Sequence, residues 1–311
     1  MPVIIKVDHL SKHYREIKAV DDISFTVNQG EIYGFLGQNG AGKSTTIRML
    51  LTLIEPTHGS IEIFGSDLRS HRKEILRQVG AIIEKPDLYK YLTALENLSI
   101  FAKLSGIRPT RNQLLQQLEM VGLKNRVNSK IKTYSQGMKQ RLGIAVALIH
   151  DPKLIILDEP TNGLDPHGIA DMRNLILQLS KEGGKTIFVS SHLLSEIQVI
   201  ADKMLILDKG KKIMEGSVDE LLDSSKTLVE LEVKNVEFVF EKLQSGNWNH
   251  FLKERRGDII IFQIAKEKIP ELNTYLISIG AEVMALIPKH SLEDYFLSLT
   301  TSNQHVDSFA N

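Results

Sequence analysis

No cysteine occurs among the 311 residues, which excludes disulfides and thiolate metal ligands and suits a reducing compartment. Neither sign of charge is in excess. Lys and Arg number 38 and Asp and Glu 38, so the basic footprint of a nucleic-acid binder is missing. Long apolar runs are missing too: runs such as Leu154 to Leu157 and Ile259 to Phe262 fall far short of the roughly 18 residues that cross a bilayer. The opening Met1-Pro2-Val3-Ile4-Ile5-Lys6 lacks the apolar core of a signal peptide. Any membrane process served by this chain is expected to take its spanning segments from other chains. What is present, 42% hydrophobic and 24% charged residues, is an ordinary globular composition with length for one large domain and one small one.

Residues 3–8 and 22–27 alternate apolar and polar side chains, the period of strands. Asn28 to Glu31 reads as a turn, and Ile32 to Leu36 as a buried strand that runs into a glycine-rich loop. Helical spacing over Thr45 to Leu53 follows it. From about 86 to 150 the pattern is helical, with Leu95, Leu98, Phe101 and Leu104 spaced by three. Residues 154–158 and 186–190 are continuous apolar strands of the kind a parallel sheet covers on both faces, and 204–208 with 211–215 read as a hairpin turning at Lys209-Gly210.

After Gly216 the character changes. A short helix from Val218 to Leu222 and the polar stretch Asp223 to Lys226 separate a second unit. There the pattern predicts strand 228–233, helix 236–244, strands 249–254 and 258–264, helix 268–279, strand 282–287 and helix 291–299, with Ser291 and Asp294 as a capping pair. The order β-α-β-β-α-β is that of a ferredoxin-like α+β sandwich. Residues 301–311 are expected to be a disordered tail. Trp248, Arg255 and Arg256 read as a solvated hairpin turn in preference to a binding face.

Two patterns carry chemistry. Gly37-Gln38-Asn39-Gly40-Ala41-Gly42-Lys43-Ser44-Thr45 fits G-x-x-x-x-G-K-[ST], between a strand and a helix. Its glycines let backbone N–H groups converge on phosphates at a helix N-terminus, with Lys43 reaching the β- and γ-phosphates and Ser44 ligating Mg²⁺. Leu154-Ile155-Ile156-Leu157-Asp158-Glu159 is an apolar strand ending in two carboxylates. Asp158 suits Mg²⁺ held through water, and Glu159 suits a general base toward an attacking water.

Four further motifs, in order, make residues 1 to about 220 resemble the ATP-binding subunit of an ABC transporter. Tyr134-Ser135-Gln136-Gly137-Met138-Lys139-Gln140-Arg141 resembles the family's signature and Gly163-Leu164-Asp165-Pro166 its D-loop. His192 matches the switch histidine, and Tyr14 the aromatic residue that stacks on adenine, with Val20 as its apolar neighbour. The resemblance implies an α/β P-loop cassette: a RecA-like core, a helical subdomain at about 86–150 and an antiparallel β subdomain. It implies that Gly37, Asn39, Gly40, Ala41, Gly42, Lys43, Ser44 and Thr45 hold ATP, while Ser135, Gly137 and Asp165 engage the nucleotide of a second copy. The implied assembly is an ATP-dependent head-to-tail homodimer beside a separate transmembrane permease, cytoplasmic and peripheral at the inner face of the membrane. Catalysis would fall to Glu159, His192 and Lys43, with no nucleic acid and no cofactor beyond Mg²⁺ and ATP.

Two departures from the family pattern narrow the resemblance. Gln136 and Met138 stand where the signature commonly has glycine and glutamine, as in the drug- and peptide-antibiotic-export branch. Where the family has a glutamine near Mg²⁺, this chain has Glu84, in Ile83-Glu84-Lys85-Pro86. An acidic residue there resembles bacitracin-export and lantibiotic-immunity ATPases, and Glu84 could itself approach the metal. Rival readings are a soluble ABC ATPase acting on ribosomes or DNA, and a P-loop small-molecule kinase. The first usually carries two cassettes or a long coiled-coil insertion, and the second leaves Ser135 and Asp165 without a purpose.

Overall fold

The computed structural model describes residues 2–221 and 227–289, in two compact units that divide after Val218. The first runs β1 (Val3–Tyr14), β2 (Ile17–Asn28), β3 (Ile32–Gly37), α1 (Lys43–Leu50), β4 (His58–Ile63), β5 (Ser66–Asp67), α2 (Arg72–Leu76) and β6 (Val79–Ile82). It continues through α3 (Ala94–Leu104), α4 (Arg111–Met120), α5 (Gln136–Leu148), β7 (Leu154–Asp158), α6 (Pro166–Lys181), β8 (Thr186–Ser191), α7 (Leu194–Ile200), β9 (Lys203–Asp208) and β10 (Lys211–Ser217). Strands in the order β10-β9-β3-β8-β7-β6 form one sheet. It is parallel except for β10, which returns antiparallel to β9 through the turn at Lys209-Gly210 that the sequence indicates. Every residue of β3, β7 and β8 is buried, which is why their apolar residues show no alternation with exposed polar ones.

A second, antiparallel sheet has the order β2-β1-β4-β5. Its apolar face shares one core with the central sheet, and Phe25 is the joint: its ring centre lies 5.7 Å from those of Tyr33 and Phe35 and 6.0 Å from that of Phe188. Each such side chain removed from water is worth about 1.5–3 kcal/mol, so the cluster holds the two sheets together. β1 continues to Tyr14, beyond the alternating stretch 3–8, because register shifts between Val7 and Leu10 and between Leu10 and Lys12 break the period of two. Leu10 and the neighbouring Ser11 are consequently both buried.

Helix α1 begins at Lys43, earlier than the spacing predicts, and stops at Leu50; Thr52 has φ 57, a value no right-handed helix continues. In the helical segment, Thr93 and Thr110 start α3 and α4 with reciprocal capping boxes to Glu96 and Gln113. The buried face of α3 is Ala94, Asn97, Leu98 and Ala102, and Leu104 is 72% exposed, so the run of residues spaced by three is not the packing face. Among the described residues no helix is long and apolar enough to cross a membrane.

The second unit contains α8 (Val218–Leu221) at its border, then β11 (Thr227–Val233), α9 (Val236–Ser245), β12 (Leu252–Arg256), β13 (Ile259–Ile264), α10 (Ile269–Ser278) and β14 (Val283–Lys289). Its sheet has the order β12-β13-β11-β14 with every neighbour antiparallel. Val239 and Leu243 of α9 and Leu272 and Leu276 of α10 share a core with Val229, Leu231, Ile260 and Phe262 of the strands. Asn249–Phe251 form a 3-10 turn where the pattern predicts strand, with Trp248 packed on Phe251 and Tyr275 at 5.5 and 6.1 Å between ring centres. Trp248 thus belongs to packing and not to a solvated turn, while Arg255 forks onto Glu237 at 2.7 and 2.8 Å. The stretch 223–226, helix 291–299 and tail 301–311 lie outside the described residues.

Candidate active site

Strands β3, β6, β7 and β8 are parallel, so the segments that leave them open at one edge of the sheet, where α/β folds bind ligands. The glycine loop leaves β3, Glu84 follows β6, Glu159 follows β7 and His192 follows β8. Gly42 caps α1 from a left-handed conformation, φ 108, and a Cβ there would lie 2.4 Å from the Ala19 carbonyl oxygen. Only glycine fits. Val20, expected as the apolar neighbour of Tyr14, is fully buried beside Gly42. Asn39 and Gly40 are exposed at the loop tip, Ala41 and Lys43 are buried, and Ser44 and Thr45 are half-buried on α1. Tyr14 ends β1 with its ring half-exposed and the Lys12 ammonium 5.1 Å from the ring centre.

Lys43 donates to the backbone carbonyls of Gly37 at 2.6 Å and Gln38 at 3.2 Å, and its ammonium lies 3.1 Å from Glu159 Oε1. The other oxygen of Glu159, Oε2, is 2.5 Å from His192 Nδ1. One carboxylate therefore sits between the loop lysine and the histidine. Glu159 has φ 51, a strained value for a glutamate that the surroundings must enforce. Ser190 does part of this: its hydroxyl accepts the Glu159 N–H at 3.0 Å and donates to Asp158 Oδ1 at 2.6 Å.

Asp158 Oδ2 is buried without a hydrogen-bond partner among the described residues. A buried carboxylate oxygen left unpaired is costly, and a divalent cation would satisfy it. Ser44, Glu84, Gln140, Asp158, Glu159 and Asn162 line one cavity of about 480 Å³. Among the described residues no three His, Asp or Glu side chains converge as a self-sufficient metal cluster, so an ion held here would have to share its coordination with phosphate oxygens. Glu84 lines this cavity, yet its carboxylate pairs with Arg48 of α1 at 2.6 Å.

Ser135 and Asp165 are helix caps: Ser135 Oγ accepts from the Met138 N–H at 3.2 Å and Asp165 Oδ1 from the Gly168 N–H at 3.0 Å. Together with Gly137 they line a different cavity, of about 490 Å³. The structure thus brings Lys43, Ser44, Asp158, Glu159, His192 and Glu84 together, while Ser135, Gly137 and Asp165 line a second cavity that has Gln136 in common with the first. Sequence reasoning missed Ser190, Gln140, Asn162 and Arg48. Ser190 was findable as the end of the strand leading to His192; Arg48, one half-exposed basic residue on a helix, carries no signal of its own.

A family profile described as ABC transporter matches residues 20–162. The bacitracin transport ATP-binding protein BcrA of Bacillus licheniformis is 45% identical over 310 residues, covering 96% of this chain and 98% of that protein. The chain belongs to the ABC transporter family. The lantibiotic transport ATP-binding protein SrtF of Streptococcus pyogenes is 41% identical to this ABC subunit over 239 residues, covering 77% of it and 99% of SrtF. The dimeric post-hydrolysis state of the ATP-binding cassette MJ0796, bound to ADP and Pi, matches it with a TM-score of 0.63 at 26% identity, over 69% of this chain and 99% of that one. This ABC subunit binds and hydrolyses ATP to drive a transporter, and its first unit has the mixed α/β fold of those cassettes.

Proposed function

We propose that two copies of this subunit pair head to tail around ATP and power the export of an antimicrobial peptide or drug through a separate permease at the inner face of the membrane. The observation that carries the pairing is the division of the site. Lys43 and Glu159 are in contact, whereas Ser135, Gly137 and Asp165 face another cavity of the same copy. A two-fold pair would set the second group of one copy against the first group of its twin, making two identical composite sites. The MJ0796 cassette has been solved as a dimer, in line with this reading. The cargo class rests on the names of BcrA and SrtF and on Glu84 at its position after β6.

In this reading Lys43 trades its carbonyl acceptors and Glu159 for phosphate oxygens, and with the loop N–H groups stabilises charge on the γ-phosphoryl group. Glu159 takes a proton from the water whose oxygen attacks phosphorus as the bond to the ADP oxygen breaks. His192, bonded to the other oxygen of Glu159, orients that base. Ser44 and Asp158 would hold Mg²⁺, which when bound neutralises phosphate charge. Ser135 accepts one bond as a cap and keeps its own proton to donate to the partner's nucleotide, so both roles are compatible. The β-α-β-β-α-β order of the second unit, with both helices in one core, supports reading it as a ferredoxin-like accessory domain that aids dimerisation or regulates the cassette.

The test is Glu159→Gln in the full chain. It should bind ATP, accumulate as a dimer in light scattering with Mg²⁺ and ATP, and turn over at least about 100-fold more slowly. A monomer at every ATP concentration would rule out the head-to-tail pairing, and wild-type turnover would remove Glu159 from its role. For the cargo, a susceptible host expressing the subunit with its permease should gain tolerance to a bacitracin- or lantibiotic-type peptide, and Lys43→Ala should abolish that gain.

A further inference from the structure

Glu196, on α7, is a carboxylate only 8% exposed whose partners are hydroxyls. A buried charge is expensive unless something needs its hydrogen bonds. Here a single oxygen, Oε2, accepts from Thr161 Oγ1 at 2.5 Å and from Ser191 Oγ at 3.0 Å. Thr161 belongs to the segment that leaves β7 just after Glu159, and Ser191 immediately precedes His192. With both hydroxyl protons committed to Glu196, each hydroxyl oxygen is left as an acceptor. Ser191 uses this to take the Leu193 N–H at 3.0 Å, which shapes the chain on the far side of His192.

We infer that Glu196 is a positioning residue for hydrolysis: its Oε2 straps the segment bearing Glu159 to the segment bearing His192. The inference rests on the roles given above to those two residues. The 2.5 Å contact between Glu159 Oε2 and His192 Nδ1 spans two separate loops, and a shift of either loop by about 1 Å would break it. Ser190 ties the ends of the strands, and Glu196 ties the loops beyond them. A leucine at this place would fill the same space but could not accept from either hydroxyl, and both loops would lose their common anchor.

The experiment compares full-length Glu196→Ala, Glu196→Gln, Thr161→Val, His192→Ala and the Glu196→Ala/His192→Ala double variant, reading ATPase rate, ATP affinity and thermal unfolding. Glu196→Ala should lower kcat by about 100-fold, the scale of an ångström misplacement, with ATP affinity changed by less than about threefold. Glu196→Gln keeps an acceptor oxygen and should recover about tenfold of that loss. Thr161→Val removes one strap without changing volume much, should slow turnover at a near-normal Tm, and reads the same contact if Glu196→Ala does not fold. The double variant should be no slower than His192→Ala, because one effect acts through the other. Losses that multiply, or affinity that falls in step with kcat, would overturn the positioning role. Wild-type turnover in Glu196→Ala beside an inactive His192→Ala would overturn this inference alone, whereas wild-type turnover in His192→Ala would overturn the catalytic reading beneath it as well.

Discussion

Arg48 on α1 and Glu84 after β6 form an ion pair of 2.6 Å, and Glu84 lines the same cavity as Ser44 and Asp158. Their side chains are 42% and 63% exposed, so the pair contributes under about 1 kcal/mol to stability. Glu84 nevertheless holds φ 58, a conformation that a glutamate adopts where its neighbours impose it. A weak tether beside Ser44 and Asp158 is readily exchanged, and Arg48 and Mg²⁺ would compete for the same carboxylate. Glu84→Ala should therefore raise the Mg²⁺ concentration for half-maximal ATPase activity by about tenfold, and Arg48→Ala should lower it. Both variants should unfold within about 4 °C of wild type, since a pair this exposed adds little to stability. Superimposable Mg²⁺ titrations of the three proteins would count against any approach of Glu84 to the metal.

The glycine loop offers a sharper test, because its fit is steric. Gly42 combines φ 108 with a Cβ position 2.4 Å from the Ala19 carbonyl oxygen, and the obstacle is backbone that cannot rotate away. Gly42→Ala should cost about 1–3 kcal/mol of stability from strain alone, and it should move α1 away from Ala19 and tilt Lys43 out of the site. Calorimetric unfolding together with equilibrium binding of ATP checks both. Unchanged affinity in a destabilised protein would mean that the loop's geometry survives the shift.

These residues also mark what could be read from the chain alone. The glycine loop and the Asp158-Glu159 strand end were legible because each pairs an apolar strand with a fixed motif, and His192 only through its place in the family's order of motifs; parallel pairing brings the strand ends to one edge. Partners were not legible. Arg48 reaches Glu84 across 36 positions, and Thr161 reaches Glu196 across 35, with no local pattern to announce either. The extent of β1 was missed for a different reason, since register shifts around Leu10 hide a strand from any period-of-two reading. Val20, read as the apolar neighbour of Tyr14, is fully buried beside Gly42, because alternation fixes which face a residue takes but not what covers that face.

Glu215 on β10 gives the cassette an acid-sensitive seam. Its carboxylate accepts from the Tyr33 hydroxyl at 2.9 Å and pairs with Lys203 at 2.7 Å and Lys212 at 3.0 Å, joining β10 to β9 and β3. Burial pushes the carboxyl up, but hydrogen bonds from Lys203, Lys212 and Tyr33 outweigh it and hold Glu215 below the ordinary glutamate value. Burial first, and then the Glu215 charge, push the Tyr33 hydroxyl well above its usual range, so it remains a donor. The unfolded chain titrates at the ordinary value. The stabilisation is thus fully present above the ordinary glutamate range and is lost as pH falls through the lower folded value. Glu215→Gln should be less stable near neutrality by about 1.5–3 kcal/mol, the worth of hydrogen bonds to a charged group. As pH falls, the gap in Tm between the two proteins should narrow, because acid removes from wild type what the substitution has already removed. Thermal unfolding across the acid range measures this, and a gap that stays constant would place the cost of the substitution in packing and not in the charge.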